Sequence, residues 1–191
     1  NFYSRKEVKD MLSYLKTIAN GQDDLAVRRI INVPKRGIGA TSITKVAIYA
    51  AEHEMNFYSA LCEAAEIPGL GKAAAKIEPF VLFVQSMKAK SQLKPVPELL
   101  QEIIETTGYV RELEAEGTDE AEARIENIDE LISKAVDYEE AQEHPTLDGF
   151  LEEVALVADI DSLDADSDYV VLMTLHSAKG LEFPNVYLAG M

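Results

Sequence analysis

The residues best suited to chemistry are concentrated in one stretch near the C-terminus. Its polar members are Thr174, His176, Lys179, Gly180 and Glu182. The stretch follows an apolar run at residues 170–175 and precedes a second one at 186–191. An apolar strand, a polar turn and another apolar strand are how α/β proteins present functional groups at the carboxyl ends of strands. We therefore expect a buried strand at 170–175 with a functional turn after it.

A second candidate site is the loop at residues 32–42. It contains Lys35, Arg36, Gly37, Ile38, Gly39 and Thr41, and Lys45 follows one turn into the next helix. Glycines let a backbone approach a phosphate, and a helix N-terminus offers free amides and a positive dipole end. A helix, a glycine-x-glycine hairpin and a second helix are the layout of a helix-hairpin-helix element, and we expect Thr41 or Ser42 to cap the second helix. The alternative is a tight turn between packed helices whose basic side chains are only solvated.

Charge is segregated along the chain, whose formal net charge is -16. Residues 25–51 contain no acidic residue but five basic ones, Arg28, Arg29, Lys35, Arg36 and Lys45. Residues 112–168 contain twenty-one acidic residues against two basic ones. The total charge argues against nucleic-acid binding, whereas its distribution predicts a local basic patch on an acidic body.

Composition limits the other function classes. No apolar run approaches the roughly 20 residues of a membrane span, and no signal peptide is apparent. Cys62 is the only cysteine, which excludes an internal disulfide and a cysteine zinc cluster, so we expect a buried thiol and a cytoplasmic protein. The aspartate-rich segment 159–168 lacks the glycine and terminal glutamate of a calcium loop, so we expect a linker without metal.

The intervening chain is predicted to be mainly α-helical. Apolar residues at helical spacing and flanking turn residues predict a helix after a capping box at Ser4–Glu7, and then helices at 23–31, 41–53, 57–66, 70–90, 95–107, 109–116, 118–141 and 146–157. A strand remnant is expected at residues 1–3 and another strand at 169–175. No internal repeat is apparent.

Three stretches, in this order, resemble the UvrD/PcrA/Rep family of superfamily 1 DNA helicases. Residues 2–10, Phe-Tyr-Ser-Arg-Lys-Glu-Val-Lys-Asp, resemble motif IVa of that family, and residues 34–39, Pro-Lys-Arg-Gly-Ile-Gly, resemble its duplex-contacting motif. Residues 172–183, Leu-Met-Thr-Leu-His-Ser-Ala-Lys-Gly-Leu-Glu-Phe, resemble motif V almost letter for letter. The resemblance covers essentially the whole chain and is most specific at motif V.

The resemblance implies an ATP-driven motor that moves 3′ to 5′ on single-stranded DNA in repair or replication. It implies that Glu182 binds the ATP ribose beside Gly180. His176, with Thr174 and Lys179 nearby, would contact the single strand, while Gly37, Ile38, Gly39 and Thr41 would contact the duplex backbone. It implies a nucleoid-associated protein whose regulatory, helical 2B domain spans residues 21–158. The margins 1–20 and 169–191 would belong to the RecA-like domain 2A, with the linker 159–168 before the second.

The sequence departs from the complete motor in ways that predict an inactive fragment. It has no Gly-x-x-x-x-Gly-Lys-Ser/Thr phosphate loop, no Walker B segment and no arginine-bearing motif VI. Phosphoryl transfer needs metal, lysine and arginine around the γ-phosphate, so we expect ATP and Mg only in a longer parent and none bound here. The chain begins at Asn1 without a methionine, which predicts a processed or excised chain.

Two further expectations concern partners. Either the two strands near the C-terminus form a small antiparallel pair, or each needs partners from a sheet outside this chain and exposes unpaired edges. The second case predicts a concentration-dependent dimer or a frayed C-terminus. The acidic helical surface predicts an alternative function for the chain, namely a protein-interaction or autoinhibitory module without direct DNA binding.

Overall fold

The computed structural model describes residues 2–162, 170, 172–174, 178 and 185–188. The described residues form nine α-helices: α1 (Lys6–Ala19), α2 (Asp24–Ile30), α3 (Ala40–Glu52), α4 (Phe57–Cys62), α5 (Lys72–Ser91), α6 (Val96–Thr107), α7 (Tyr109–Glu116), α8 (Asp119–Ala141) and α9 (Leu147–Ser162). The described residues also form two 3₁₀ helices, Phe2–Ser4 and Ala64–Glu66. No described residue is in a β-strand. The predicted mainly helical fold is confirmed.

Helix α1 lies at the centre of the molecule. It packs against α2, α5, α6, α8 and α9, and its apolar side chains are almost fully buried, among them Met11, Leu15 and Ile18. Even its polar residues Asp10 and Thr17 are only 1% exposed. The helix therefore shares one core with the rest of the helical body. The domain boundary proposed at residue 20 stays a prediction.

The N-terminus differs from its prediction in two respects. Residues Phe2–Ser4 form a 3₁₀ helix, so the strand expected at residues 1–3 is wrong for the described part of that segment. Helix α1 begins at Lys6 with Arg5 as its N-cap residue, so Ser4 is not at the cap position. The Glu7 carboxylate instead accepts a 2.6 Å hydrogen bond from Asn127 Nδ2 of α8. The Glu7 side chain is buried against that amide, with 4% exposure, so its carboxylate is bound by α8.

A buried carboxylate joins α1 to two other helices. Asp10 accepts a 2.6 Å charge-assisted hydrogen bond from Arg29 Nε of α2 and a 2.7 Å hydrogen bond from the hydroxyl of Tyr109 in α7. Burial, together with this bond to a carboxylate, raises the pKa of Tyr109 above its usual value. Because both carboxylate oxygens have a donor, the charge can be buried without an unpaired acceptor.

Three smaller predictions are corrected between residues 57 and 162. The helix expected at 57–66 is interrupted, because α4 ends at Cys62 before the 3₁₀ turn Ala64–Glu66. The thiol of Cys62 is exposed rather than buried. Helix α9 continues to Ser162 instead of ending at Val157, so the first residues of the predicted acidic linker are helical.

The C-terminal apolar runs do not enter the core where they are described. Val170 is 89% exposed and Leu172 is 93% exposed, so the burial expected for the strand at 170–175 is wrong for these two residues. Tyr187 in the second apolar run is 92% exposed. A strand that reads as a continuous apolar run is buried only when neighbouring strands and covering helices are present. The described part of the chain supplies no strand to pair with it.

None of the helices in the described part of the chain combines the length and the apolarity that a membrane crossing requires.

Candidate nucleic-acid interface

The loop before α3 is closed by the side chain of Asn32. Its Nδ2 donates to the carbonyl of Ile38 over 2.6 Å, and its Oδ1 accepts from the amide of Ile38 over 3.1 Å. The side chain of Ile38 is buried, with 3% exposure. Ile38 is therefore the anchor of the loop, and its amide is already occupied. Its neighbours Gly37 and Gly39 remain exposed.

Arg36 holds the same loop from the inside. Its Nη1 donates to the carbonyls of Ile30 over 2.7 Å and Ile31 over 3.2 Å, while its Nη2 donates to the Tyr14 hydroxyl over 2.7 Å. The guanidinium carbon also lies 5.0 Å from the centroid of the Phe80 ring. Burial raises the pKa of the Tyr14 hydroxyl, which donates onward to a backbone carbonyl of the loop. The structure thus turns Arg36 toward the protein, although the sequence predicted a DNA contact.

The outer face of this first hairpin, defined here as residues 37–41, presents backbone and small side chains. Gly37, Gly39, Ala40 and Thr41 are exposed, and Gly37 has φ +70°. Helix α3 begins at Ala40 with Gly39 as its N-cap residue, has no side-chain cap and has no acidic residue in its first turn. The predicted cap by Thr41 or Ser42 is therefore wrong, because both lie inside the helix. The first amides of α3 remain available to a ligand.

A second hairpin with the same glycine spacing lies at residues 69–73, where the sequence pattern predicts only a helix boundary. Gly69 has φ +73°, Leu70 is buried with 5% exposure, and Gly71 is the N-cap residue of α5. Helix α5 also has no side-chain cap and no acidic residue in its first turn, and Lys72 is its first residue. The signal in the sequence is the repeated spacing Gly-x-Gly before a helix.

The two hairpins contact each other through lysines. Lys45 Nζ of α3 donates to the Gly69 carbonyl over 2.5 Å, and Lys76 Nζ of α5 donates to the Gly37 carbonyl over 3.1 Å. Each lysine therefore reaches the first glycine of the opposite hairpin. Helix α4 packs against both α3 and α5 beneath them. The structure places the hairpins next to each other as a single surface, which we call the two-hairpin surface.

The basic residues of this region divide into two groups. Arg29 pairs with Asp10, Arg36 is turned inward, and the Arg28 guanidinium lies 4.7 Å from the centroid of the Phe57 ring. Lys35 is exposed and has no hydrogen-bond or ion-pair partner in the described part of the chain. The two-hairpin surface therefore has four lysines at or near it, Lys35, Lys45, Lys72 and Lys76. The last two come from α5, beyond the basic segment identified in the sequence.

The C-terminal candidate residues are described only in part. Thr174 is exposed, and its carbonyl accepts a 3.1 Å hydrogen bond from the amide of Ala178. His176, Lys179, Gly180 and Glu182 lie outside the described residues. Their assigned contacts with single-stranded DNA and with ATP therefore stay predictions. Among the described residues no group of histidine, cysteine, aspartate or glutamate side chains is arranged to hold a metal ion.

Uncapped helix N-termini, exposed glycines and lysines are typical of proteins that contact the nucleic-acid backbone, because phosphates accept hydrogen bonds from these groups. A family model described as "UvrD-like helicase C-terminal domain" matches residues 1–191. The chain belongs to that family, as the resemblance of its three motifs predicted.

Individual relatives agree with this assignment. The chain is 43% identical over 196 residues to the ATP-dependent DNA helicase PcrA of Bacillus subtilis, and 45% identical over 192 residues to that of Staphylococcus aureus. A PcrA from Staphylococcus epidermidis is 43% identical over 192 residues. Each match covers 100% of this chain but 26% of the relative, so the chain spans about a quarter of the length of these curated relatives.

Proposed function

We propose that this chain is the duplex-contacting and regulatory part of a 3′–5′ ATP-dependent DNA helicase that acts in repair or replication. The two-hairpin surface binds the sugar-phosphate backbone of duplex DNA near the fork. Binding is independent of sequence, because backbone amides and lysines recognise phosphates and do not read bases. Thr174, His176 and Lys179 contact the single strand in the complete motor.

The observation that carries the proposal is the pair of uncapped helix N-termini on one surface. Helices α3 and α5 both begin at a glycine without a side-chain cap and without an acidic residue in the first turn. The chain carries a formal net charge of -16, so a lysine-rich surface whose two helix starts lack acidic residues marks where a polyanion can approach. The rest of the acidic surface repels DNA and so favours one orientation on the duplex.

Nucleotide chemistry belongs to the longer parent. Glu182 and Gly180 contribute to an ATP site there, and Mg accompanies the nucleotide. The sequence of this chain contains no phosphate loop, so the chain alone does not hydrolyse ATP.

The proposal is tested by salt-dependent binding of a fluorescein-labelled forked duplex, measured by anisotropy. We expect weak binding whose affinity falls steeply with salt. The double substitution Lys35→Met and Lys72→Met should lower the affinity. It should also reduce the salt slope, which is the steepness of the plot of log affinity against log salt concentration, by about 0.9 for each phosphate that is no longer neutralised. The decrease should be the same for duplexes of different sequence.

The matched control is Lys88→Met, which removes an exposed lysine from the opposite end of α5. Each lysine-to-methionine substitution removes one positive charge. The control therefore distinguishes the loss of a contact at the two-hairpin surface from the effect of a changed net charge on DNA affinity. An equal decrease of slope per lysine in this variant, or an unchanged slope in the double variant, would sink the proposed contact.

A second candidate function is a protein-interaction or autoinhibitory module without direct DNA binding. The observation that favours it is the acidic outer face of α8, where Glu120, Glu122 and Glu126 are all exposed. Such a face suits a basic partner rather than DNA. The two candidates differ in whether duplex DNA perturbs the two-hairpin surface at all.

A further inference from the structure

The hydrogen bonds between the two hairpins are reciprocal. The donors are Lys45 in the second turn of α3 and Lys76 in the second turn of α5, and the acceptors are the carbonyls of Gly69 and Gly37. The two glycines have nearly the same conformation, with φ +73° and φ +70°. The helix that follows each hairpin therefore supplies one lysine, whose ammonium group donates to the first glycine carbonyl of the other hairpin.

The glycines make this arrangement possible. A Cβ atom on Gly69 would lie 3.4 Å from Lys45 Nζ, and one on Gly37 would lie 3.5 Å from Lys76 Nζ. Both distances are ordinary van der Waals contacts, so an added methyl group would touch the ammonium group without a clash. The glycines matter here because their left-handed backbone turns each carbonyl toward the opposite lysine. Both ammonium groups are exposed, so they could have remained in solvent as Lys35 does.

We propose that Lys45 and Lys76 are positioning residues that fix the two hairpins relative to each other, so that both meet one duplex at the same time. This inference rests on the proposed function, because the surface that the lysines hold is the proposed duplex site. It differs from the assignment of Lys45 as a direct phosphate contact. An ammonium group that donates to a carbonyl of the opposite hairpin affects duplex binding by holding that hairpin in position.

Salt dependence distinguishes a positioning lysine from a phosphate-binding one. Removing a phosphate-binding lysine lowers the salt slope. Removing a positioning lysine lowers the fraction of chains whose two hairpins are aligned, while the aligned surface still neutralises the same number of phosphates. We expect the double substitution Lys45→Met and Lys76→Met to lower duplex affinity about threefold to tenfold, because each hydrogen bond is modest, and to leave the salt slope unchanged. The substitutions Lys45→Arg and Lys76→Arg should restore the affinity, because arginine retains a donor of sufficient reach.

A second measurement reports the position of the hairpins without DNA. Spin labels are attached to cysteines introduced at the exposed positions Ala51 of α3 and Ala75 of α5, in a Cys62→Ser background. Double electron–electron resonance then gives the distribution of distances between the two labels. We expect this distribution to broaden in the double methionine variant and to narrow again in the double arginine variant. The midpoint of thermal unfolding checks that both variants remain folded.

Two results would overturn the inference. A salt slope that falls by about 0.9 per lysine would make both residues direct phosphate contacts. An unchanged distance distribution in the double methionine variant would show that the carbonyl bonds position nothing. If the wild-type chain does not bind duplex, the proposed function fails, whereas a broadened distribution would still support the lysines as the link between the hairpins.

Discussion

At the scale of single residues, two adjacent basic side chains have opposite roles. Lys35 is exposed and can meet a phosphate, while the neighbouring Arg36 donates to the loop backbone and to Tyr14. The guanidinium is planar and carries five donors, so it can bind several carbonyls at once, which an ammonium point charge does less well. The basic pair predicted as one DNA contact therefore divides into a ligand-facing residue and a residue that shapes the loop.

This division predicts different consequences for the two substitutions. Arg36→Met should lower the free energy of unfolding by about 2 kcal/mol, because it removes charge-assisted hydrogen bonds to the carbonyls of Ile30 and Ile31. Urea unfolding followed by circular dichroism measures this change. Lys35→Met is the matched control and should leave stability unchanged while lowering duplex affinity. Equal stability of the two variants would contradict the role assigned to Arg36.

At the scale of elements, most helices follow from the sequence because their determinants are local. Apolar spacing and turn residues predict α2, α3, α6, α7 and α8 to within about two residues. Gly108 follows α6 in the left-handed conformation. The first hairpin is recognisable from Gly37 and Gly39. The mainly helical fold is therefore accessible from periodicity and turn chemistry alone.

The features of the fold and of the candidate site that the sequence does not predict depend on contacts between residues that are distant in the sequence. The inward orientation of Arg36 depends on Tyr14 and Phe80, and the position of Glu7 depends on Asn127. The second hairpin is not predicted from the sequence, because a proline–glycine pair before a helix is equally typical of a simple helix boundary. Its equivalence to the first hairpin becomes clear only when Lys45 and Lys76 are seen to cross between them.

The equivalence of the hairpins predicts equivalent effects of glycine substitution. Gly37→Ala and Gly69→Ala should each cost about 1 kcal/mol of stability, because both residues have positive φ, and each should lower duplex affinity. Gly117→Ala is the matched control, since Gly117 has φ +61° at the end of α7 and an added Cβ would meet no atom within 4 Å. It should cost similar stability and leave affinity unchanged, as measured by urea unfolding and anisotropy. A decrease in affinity confined to Gly37→Ala would show that the hairpins are not equivalent.

At the scale of the whole molecule, charge and shape are organised around one central helix. Helix α1 connects the hairpin side, through α2 and α5, with the acidic side, through α8 and α9. Its polar groups hold these neighbours in place, with Asp10 bound by Arg29 and Tyr109. A rigid core of this kind keeps the lysine-rich surface and the acidic surface in a fixed relation, which suits a domain that must orient on DNA.

The most direct test of the duplex-binding surface is to map the DNA site by nuclear magnetic resonance. A short duplex is titrated into the ¹⁵N-labelled chain at low salt, and amide shift changes are followed residue by residue. We predict the largest changes at residues 37–41 and 69–73, with the exposed face of α8 unchanged. Changes centred on the acidic residues of α8, or on only one hairpin, would contradict a duplex-binding surface built from both hairpins.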